Sequence, residues 1–160
     1  MKSNKELAIE KLQQRGVSIE DIATIVIDIQ RNYQNVTMEE CMDTIISILS
    51  KKETVYTILT GIAIDEAAEK GLLDKEINDL ITEDNGLYGL DEILALSIVN
   101  MNGSIALTNF GYLDKVKPGI IGVVDKEGKE RIKCHTFLDD IICAIAASAA
   151  SRIAHSREKI

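Results

Sequence analysis

The chain has 160 residues, with 18 Lys+Arg against 26 Asp+Glu and a formal net charge of −8. That length suits one domain able to bury about two-thirds of its unfolded surface, and 46% hydrophobic residues with a single Pro leave little room for disorder. The acidic balance disfavours nucleic acid as a partner and, as a whole-molecule field, disfavours an anionic membrane.

Helical periodicity runs through nearly the whole chain. Ser3 or Asn4 can cap a first helix that Gly16 stops. Ser18 with Asp21, and Thr37 with Glu40, have the spacing of capping boxes opening a second and a third helix. The second helix carries Ile19, Ile22, Ile25, Val26 and Ile29 at the i, i+3, i+4 spacing of one buried face. A fourth runs from about Glu53 to Lys70 and ends at Gly71, and Asp74 opens a short fifth ending near Gly86. "LYGLDEILALSIVNMNG" reads as a helix closed by Gly103. "SIALTNFGYLDKVKPG" reads as one stopped before Pro118, whose ring disfavours helix in the residue before it.

Only 119–133 breaks this pattern. "IIGVVDKEGKERIK" suits a β-hairpin around Asp125–Gly128 or a long ordered loop. No internal repeat or low-complexity tract interrupts the chain. The expected fold is all-α, a bundle of about seven or eight helices.

The last helix, expected over 136–155, differs from the others. Phe137, Ile141, Ile142, Ala144, Ile145, Ala146, Ala149 and Ile153 place apolar residues on every side of it. A helix apolar all round is buried all round. Its many Ala and Ser residues let neighbours approach closely, so it belongs at the centre of the bundle. Yet it opens on two adjacent acids, Asp139 and Asp140.

Capping explains part of this. Thr136 as N-cap and Asp139 as the acid three residues on would form a capping box that also complements the helix dipole. Asp140 is left over, because the line through Asp140, Ala144, Ala147 and Ser151 does not face water. Asp91 and Glu92 repeat the oddity. Residues in register with Asp91 (Leu94, Ala95, Ile98) and with Glu92 (Ala95, Leu96, Val99) are all apolar. A third isolated acid, Asp114, has Lys115 and Lys117 close behind it.

Taking an ionised carboxylate out of water costs several kcal/mol unless it is paired or bound to metal. Three such sites with few buried cations suggest that a divalent ion supplies the charge. Oxygen-only ligands favour Mg²⁺, Mn²⁺ or Ca²⁺ over Zn²⁺. Adjacent helical residues point about 100° apart. One acid of each pair is therefore expected to ligate while its neighbour orients it, holds a second ion or activates water. The three sites are expected to converge within about 10 Å, a span that one or two bridged ions can link.

Three segments in order, "LDEILA", "FGYLDKVKPGI" and "FLDDIICAIAAS", resemble the acidic signatures of the phosphatidylglycerophosphatase A family. Those signatures run roughly D-E-F-x-G, F-R-x-F-D-x-x-K-P-x-P and D-D-x-x-A-G. The match is specific for Asp91-Glu92, for Asp114 with Lys117-Pro118, and for Asp139-Asp140, and covers about residues 86–150. Over its whole length the chain is similar to a branch described as low-temperature requirement C proteins.

The resemblance implies a Mg²⁺-dependent hydrolase, with Mn²⁺ as a substitute, that removes the terminal phosphate of phosphatidylglycerophosphate. By that resemblance Asp91, Glu92, Asp114, Asp139 and Asp140 are the metal and catalytic residues, and Lys117, with Lys115, contacts the phosphate. Gly111 stands where the family has Arg, Ile120 where it has a second Pro, and Ala95 where it has Gly. The alternatives are a phosphatase for another small phosphomonoester, or a non-enzymatic helical protein that retains a metal site.

No cationic stretch followed by an apolar run opens the chain, so no secretory leader is expected. The apolar run Ile141–Ala150 is shorter than the about 20 residues a bilayer span needs. Cys41, Cys134 and Cys143 form no paired framework and are expected as reduced thiols in a cytoplasmic protein. Residues 115–133 carry six cations against three acids, a local +3 that could meet an anionic head group or be a plain surface loop. Peripheral membrane contact and self-association both stay open.

Two weaker signals remain. Asp65 lies on a line with Ile58, Ile62 and Ala68, so it faces either the acid cluster or solvent beside Glu66. His135 and His155 have no metal-ligand spacing, and His155 with Arg152 and Arg157 suits a helix C-terminus.

Overall fold

Three capping boxes set the first three helices. In a computed structural model that describes residues 1–157, Ser3 with Glu6, Ser18 with Asp21 and Thr37 with Glu40 each close a reciprocal cap. They open α1 (Asn4–Gln14), α2 (Ile19–Gln30) and α3 (Met38–Ile48). Gly16, at φ 85°, ends the first. Its N–H reaches the Gln13 carbonyl and the next N–H, of Val17, reaches Leu12, at 2.9 and 3.0 Å. Such a left-handed stop favours glycine, which has no Cβ to clash.

α4 (Lys52–Glu69), α5 (Lys75–Thr82), α6 (Leu90–Val99), a 3₁₀ turn at Asn100–Asn102 and α7 (Ser104–Val116) follow. α8 (Ile120–Lys129) and α9 (Leu138–Arg157) are the last of the described elements. The fold is all-α, with nine α-helices and no strand among the described residues.

α8 corrects the expectation for 119–133, which is neither hairpin nor loop. "IIGVV" is rich in β-branched residues and reads as strand by local preference. Tertiary packing overrides that preference. Ile121 and Val124, three apart, are both buried, and the helix lies against α9. Only 130–137 remains irregular, as the connection into α9.

α9 is the centre. α2, α3, α4, α6, α7 and α8 all pack on it, while α1 and α5 pack on α4. Every residue from Cys134 to Ser151 is buried. Close approach needs small residues at the crossing. Gly61 of α4 provides it, because a Cβ there would lie 2.4 Å from Ile141 Cδ1 and 3.2 Å from Phe137 Cβ. The far end of α9 is pinned by polar contacts. Ser151 Oγ donates to the Asn102 carbonyl (2.7 Å), Arg152 Nε to Asn102 Oδ1 (2.8 Å), and Arg157 to the Asn35 carbonyl and Glu40 (2.6 and 2.7 Å). All three cysteines are free and buried.

Candidate metal centre

The first turn of α9 is held from outside its own sequence. Asp65 of α4 is fully buried, and its two carboxylate oxygens accept the backbone N–H groups of Phe137 and Leu138, each at 3.0 Å. A helix start leaves N–H groups without intrahelical partners, and a carboxylate satisfies them best. Asp65 therefore belongs neither to solvent nor to the acid cluster. It caps the helix that carries Asp139 and Asp140.

The expected Thr136–Asp139 capping box does not form. Thr136 Oγ1 donates to the Ile81 carbonyl, and Asp139 Oδ1 accepts the N–H of Asp140 at 2.8 Å. The approach to α9 is tied by a second network. Arg15 donates to the Cys134 carbonyl (2.6 Å) and to Glu69, and Glu69 accepts the Cys134 N–H (2.7 Å). Arg15 also donates to His135 Nδ1 at 3.2 Å, which leaves the ring proton on Nε2 for Glu127 at 3.0 Å. Burial lowers the pKa of this histidine, and with both ring nitrogens engaged it acts as a neutral strut.

The anchored helix start carries the adjacent acids into two different carboxylate groups. Asp140 meets Asp91 and Glu92 from the first turn of α6, with one oxygen of each within 4.8 Å of the others. Asp139 meets Asp84 and Asp125 at the same spacing. Asp139 and Asp140 diverge and take separate triads, whereas the equally adjacent Asp91 and Glu92 share one, against the expectation that neighbouring acids could not face one ion together. Asp114 lies beside the cluster on α7, where it is one of the charges that raise the pKa of Asp140. Either triad offers the spacing and the hard oxygen donors that could hold a divalent ion.

The two triads differ in how their charge is met. In the first, Asp91 Oδ1 and Glu92 Oε2 are buried with no hydrogen-bond partner. Among the described residues, none of Asp91, Glu92 or Asp140 has a basic side chain within 4.0 Å. Burial first, then neighbouring acids, holds the pKa of Asp140 far above the usual carboxylate range and pushes Asp91 up to about 7. In the second, Lys117 Nζ sits 3.4 Å from Asp139, 3.9 Å from Asp125 and 3.1 Å from Asp114. Lys129 adds an exposed contact to Asp125 at 2.7 Å.

Sequence reasoning missed Asp84 and Asp125. Asp84 lies in the turn after α5 at φ 50°, a left-handed conformation uncommon outside glycine. Its "EDNG" context reads as an ordinary turn. Asp125 was hidden by the hairpin reading, and its position facing α9 follows only from α8 being a helix. A small cavity of about 10 Å³, lined by Thr82, Asp84, Asp125, His135, Thr136 and Asp139, lies against the second triad. Lys115 stands exposed on α7. A larger groove lined by Ile29, Tyr33, Ile105, Asn109, Ala154 and Arg157 contains none of these acids.

Fold and site together define a class: all-α proteins in which a central buried helix delivers paired carboxylates into a shared acid cluster. The chain belongs to the phosphatidylglycerophosphatase A family, whose model matches residues 9–155. It is 49% identical over 156 residues to the uncharacterized Bacillus subtilis (strain 168) protein YpjQ, spanning 97% of this chain and 86% of that one. Among solved structures, the low temperature requirement C protein from Listeria monocytogenes matches at a TM-score of 0.93 and 48% identity, over 99% of both chains. A protein of unknown function from Bacillus stearothermophilus matches at 0.92 and 49%, over 98% of this chain and 96% of that one. None of the described helices is long and apolar enough to cross a membrane.

Proposed function

We propose that this chain is a Mg²⁺-dependent phosphatase, with Mn²⁺ as a competent substitute, that removes the terminal phosphate of phosphatidylglycerophosphate to leave phosphatidylglycerol. One observation carries the metal part of the reading: Asp91 and Glu92 each keep a buried carboxylate oxygen beside Asp140, with no basic side chain among the described residues to meet their charge. Buried carboxylate oxygens without partners are costly, and a hard divalent cation suits a set made of oxygen donors alone. Family membership supports phosphate-ester hydrolysis as the reaction.

In this reading Asp91, Glu92 and Asp140 hold the ion. When bound, the ion supplies Lewis acidity to a phosphoryl oxygen. Asp139 and Asp114 complete the acid wall, and their charge is kept in place by Lys117. Asp65 fixes the direction in which Asp139 and Asp140 leave the helix. Lys115, exposed on α7 close to Asp114 in the chain, is the lysine we assign to the phosphate of the substrate.

The test is release of inorganic phosphate from a panel containing phosphatidylglycerophosphate in mixed micelles, glycerol 3-phosphate and other soluble monoesters, with Mg²⁺ and with chelator. Mg²⁺-dependent release from the lipid, lost in Asp140→Asn, is expected. Turnover of soluble monoesters with none of the lipid would replace the substrate. Inactivity on every ester, with metal bound, would leave a non-enzymatic metal protein.

A further inference from the structure

We propose that Lys117 is the permanent counter-ion of Asp114, Asp125 and Asp139, so that the acid cluster takes a single divalent ion, at Asp91, Glu92 and Asp140. The inference rests on reading that triad as a divalent-ion site, and goes beyond it by stating how many ions enter and what occupies the rest of the cluster.

The contacts come first. An ammonium group has three N–H donors and no acceptor. Lys117 Nζ has three carboxylates around it, at 3.1, 3.4 and 3.9 Å, from α7, α9 and α8 respectively. Its side chain is 25% exposed and that of Asp139 only 6%. The pairing is therefore screened less than a surface salt bridge. Two of these contacts, to Asp114 and Asp139, are hydrogen bonds and the third, to Asp125, is a looser ion pair, so the lysine ties three helices together.

The backbone is built to put it there. Lys117 adopts φ 51° and ψ 55°, a left-handed conformation that costs a side-chain-bearing residue on the order of 1 kcal/mol. Three features hold it. Its N–H donates to the Leu113 carbonyl at 2.8 Å, Pro118 follows directly, and Gly122 leaves room for the Lys117 carbonyl, since a Cβ there would lie 2.6 Å from that oxygen. Strain that the surroundings over-determine is a mark of a working position. The turn that bends α7 into α8 is also what delivers the ammonium to Asp139.

The contrast between the triads then sets the ion count. Asp114 and Asp139 have Lys117, and Asp125 has Lys117 at 3.9 Å and Lys129 at 2.7 Å. Asp91, Glu92 and Asp140 have no such cation, and Asp91, only 5% exposed, keeps one carboxylate oxygen buried without a hydrogen-bond partner. A cluster that already holds a cation on one side and none on the other calls for its ion from solution on the open side.

The experiment counts Mn²⁺ bound per chain, by titration calorimetry and by the loss of free-ion paramagnetic resonance signal. Wild type, Lys117→Gln, Lys117→Arg, and Lys117→Gln combined with Asp125→Asn are compared. One ion is expected for wild type and for Lys117→Arg, which keeps the charge. Two are expected for Lys117→Gln, and one again when Asp125 is also neutralised. Two ions in wild type, or one in a folded Lys117→Gln, overturns the proposal while leaving the phosphatase reading intact. If Lys117→Gln does not fold, the wild-type count alone decides between one and two. No Mn²⁺ bound by wild type would overturn the metal reading itself, and this inference with it.

Discussion

The Asp65 carboxylate accepts the backbone N–H of Leu138 at 3.0 Å, across 73 residues of sequence, and so caps the helix whose next two residues are Asp139 and Asp140. A buried acid outside the carboxylate cluster sets the aim of two acids inside it. Its other oxygen takes the N–H of Phe137.

Asp65→Asn should therefore destabilise the fold by about 1–3 kcal/mol, because an amide can accept only one of the two bonds and leaves a buried N–H unmet. Thermal unfolding measures this. Divalent-ion affinity should fall as well, since the first turn of α9 loosens. Unchanged stability with unchanged affinity would refute the capping role.

Asp140→Asn should behave in the opposite way when metal is removed. The carboxylate is buried among other acids, so the neutral amide relieves a cost, and the variant in chelator should melt above wild type. The gain that Mg²⁺ or Mn²⁺ gives wild type should vanish. Phosphatase activity should drop by more than about a hundred-fold, beyond the 10–100-fold typical of outer-shell partners. An equal metal-induced shift in both proteins would mean nonspecific surface binding.

Stability of the metal-free protein should fall as pH rises from about 4 to about 7. Burial, against the pull of the two N–H groups, pushes Asp65 up to about 7, and burial with neighbouring acids does the same to Asp91. Across that window the folded chain holds protons that the unfolded chain, with ordinary carboxylates near 4, has released. The native state then binds more protons, so raising pH favours unfolding. Melting temperatures in chelator across this range test the sign. Saturating Mg²⁺ should flatten the slope by stabilising the ionised acids of its triad.

Two glycines should respond with opposite sign. Gly111 is exposed on α7 with open space where a Cβ would go, so Gly111→Ala should stabilise by about 0.5–1 kcal/mol through helix propensity. Gly122→Ala meets the Lys117 carbonyl at 2.6 Å, a backbone atom that cannot step aside cheaply. It should destabilise by about 1–3 kcal/mol, the usual range for overpacking. A urea titration of each variant separates the two outcomes. Gly122→Ala should also disturb ion binding, because it moves the corner that holds Lys117.

Much of this was legible in the chain itself. Ser18–Asp21 and Thr37–Glu40 are local signals, with donor and acceptor three residues apart, so the helices they open follow from sequence. The apolar circumference of 136–155 already demanded a central helix, because no face of it could meet water. Asp91, Glu92 and Asp140 stood out as acids in apolar registers, and one triad contains all three.

What sequence could not decide was everything that depends on which distant groups meet. "IIGVV" preferred strand on local grounds and became helix because Ile121 and Val124 gain more by packing on α9. Asp65 gave no hint of its role, since the N–H groups it satisfies lie 72 and 73 residues away. The division of Asp139 and Asp140 between two triads, with Asp84 and Asp125 recruited to one and Lys117 seated beside them, likewise needed the tertiary structure. Helices are specified by neighbours in the chain, whereas the charge environment of a buried carboxylate is specified by neighbours in space.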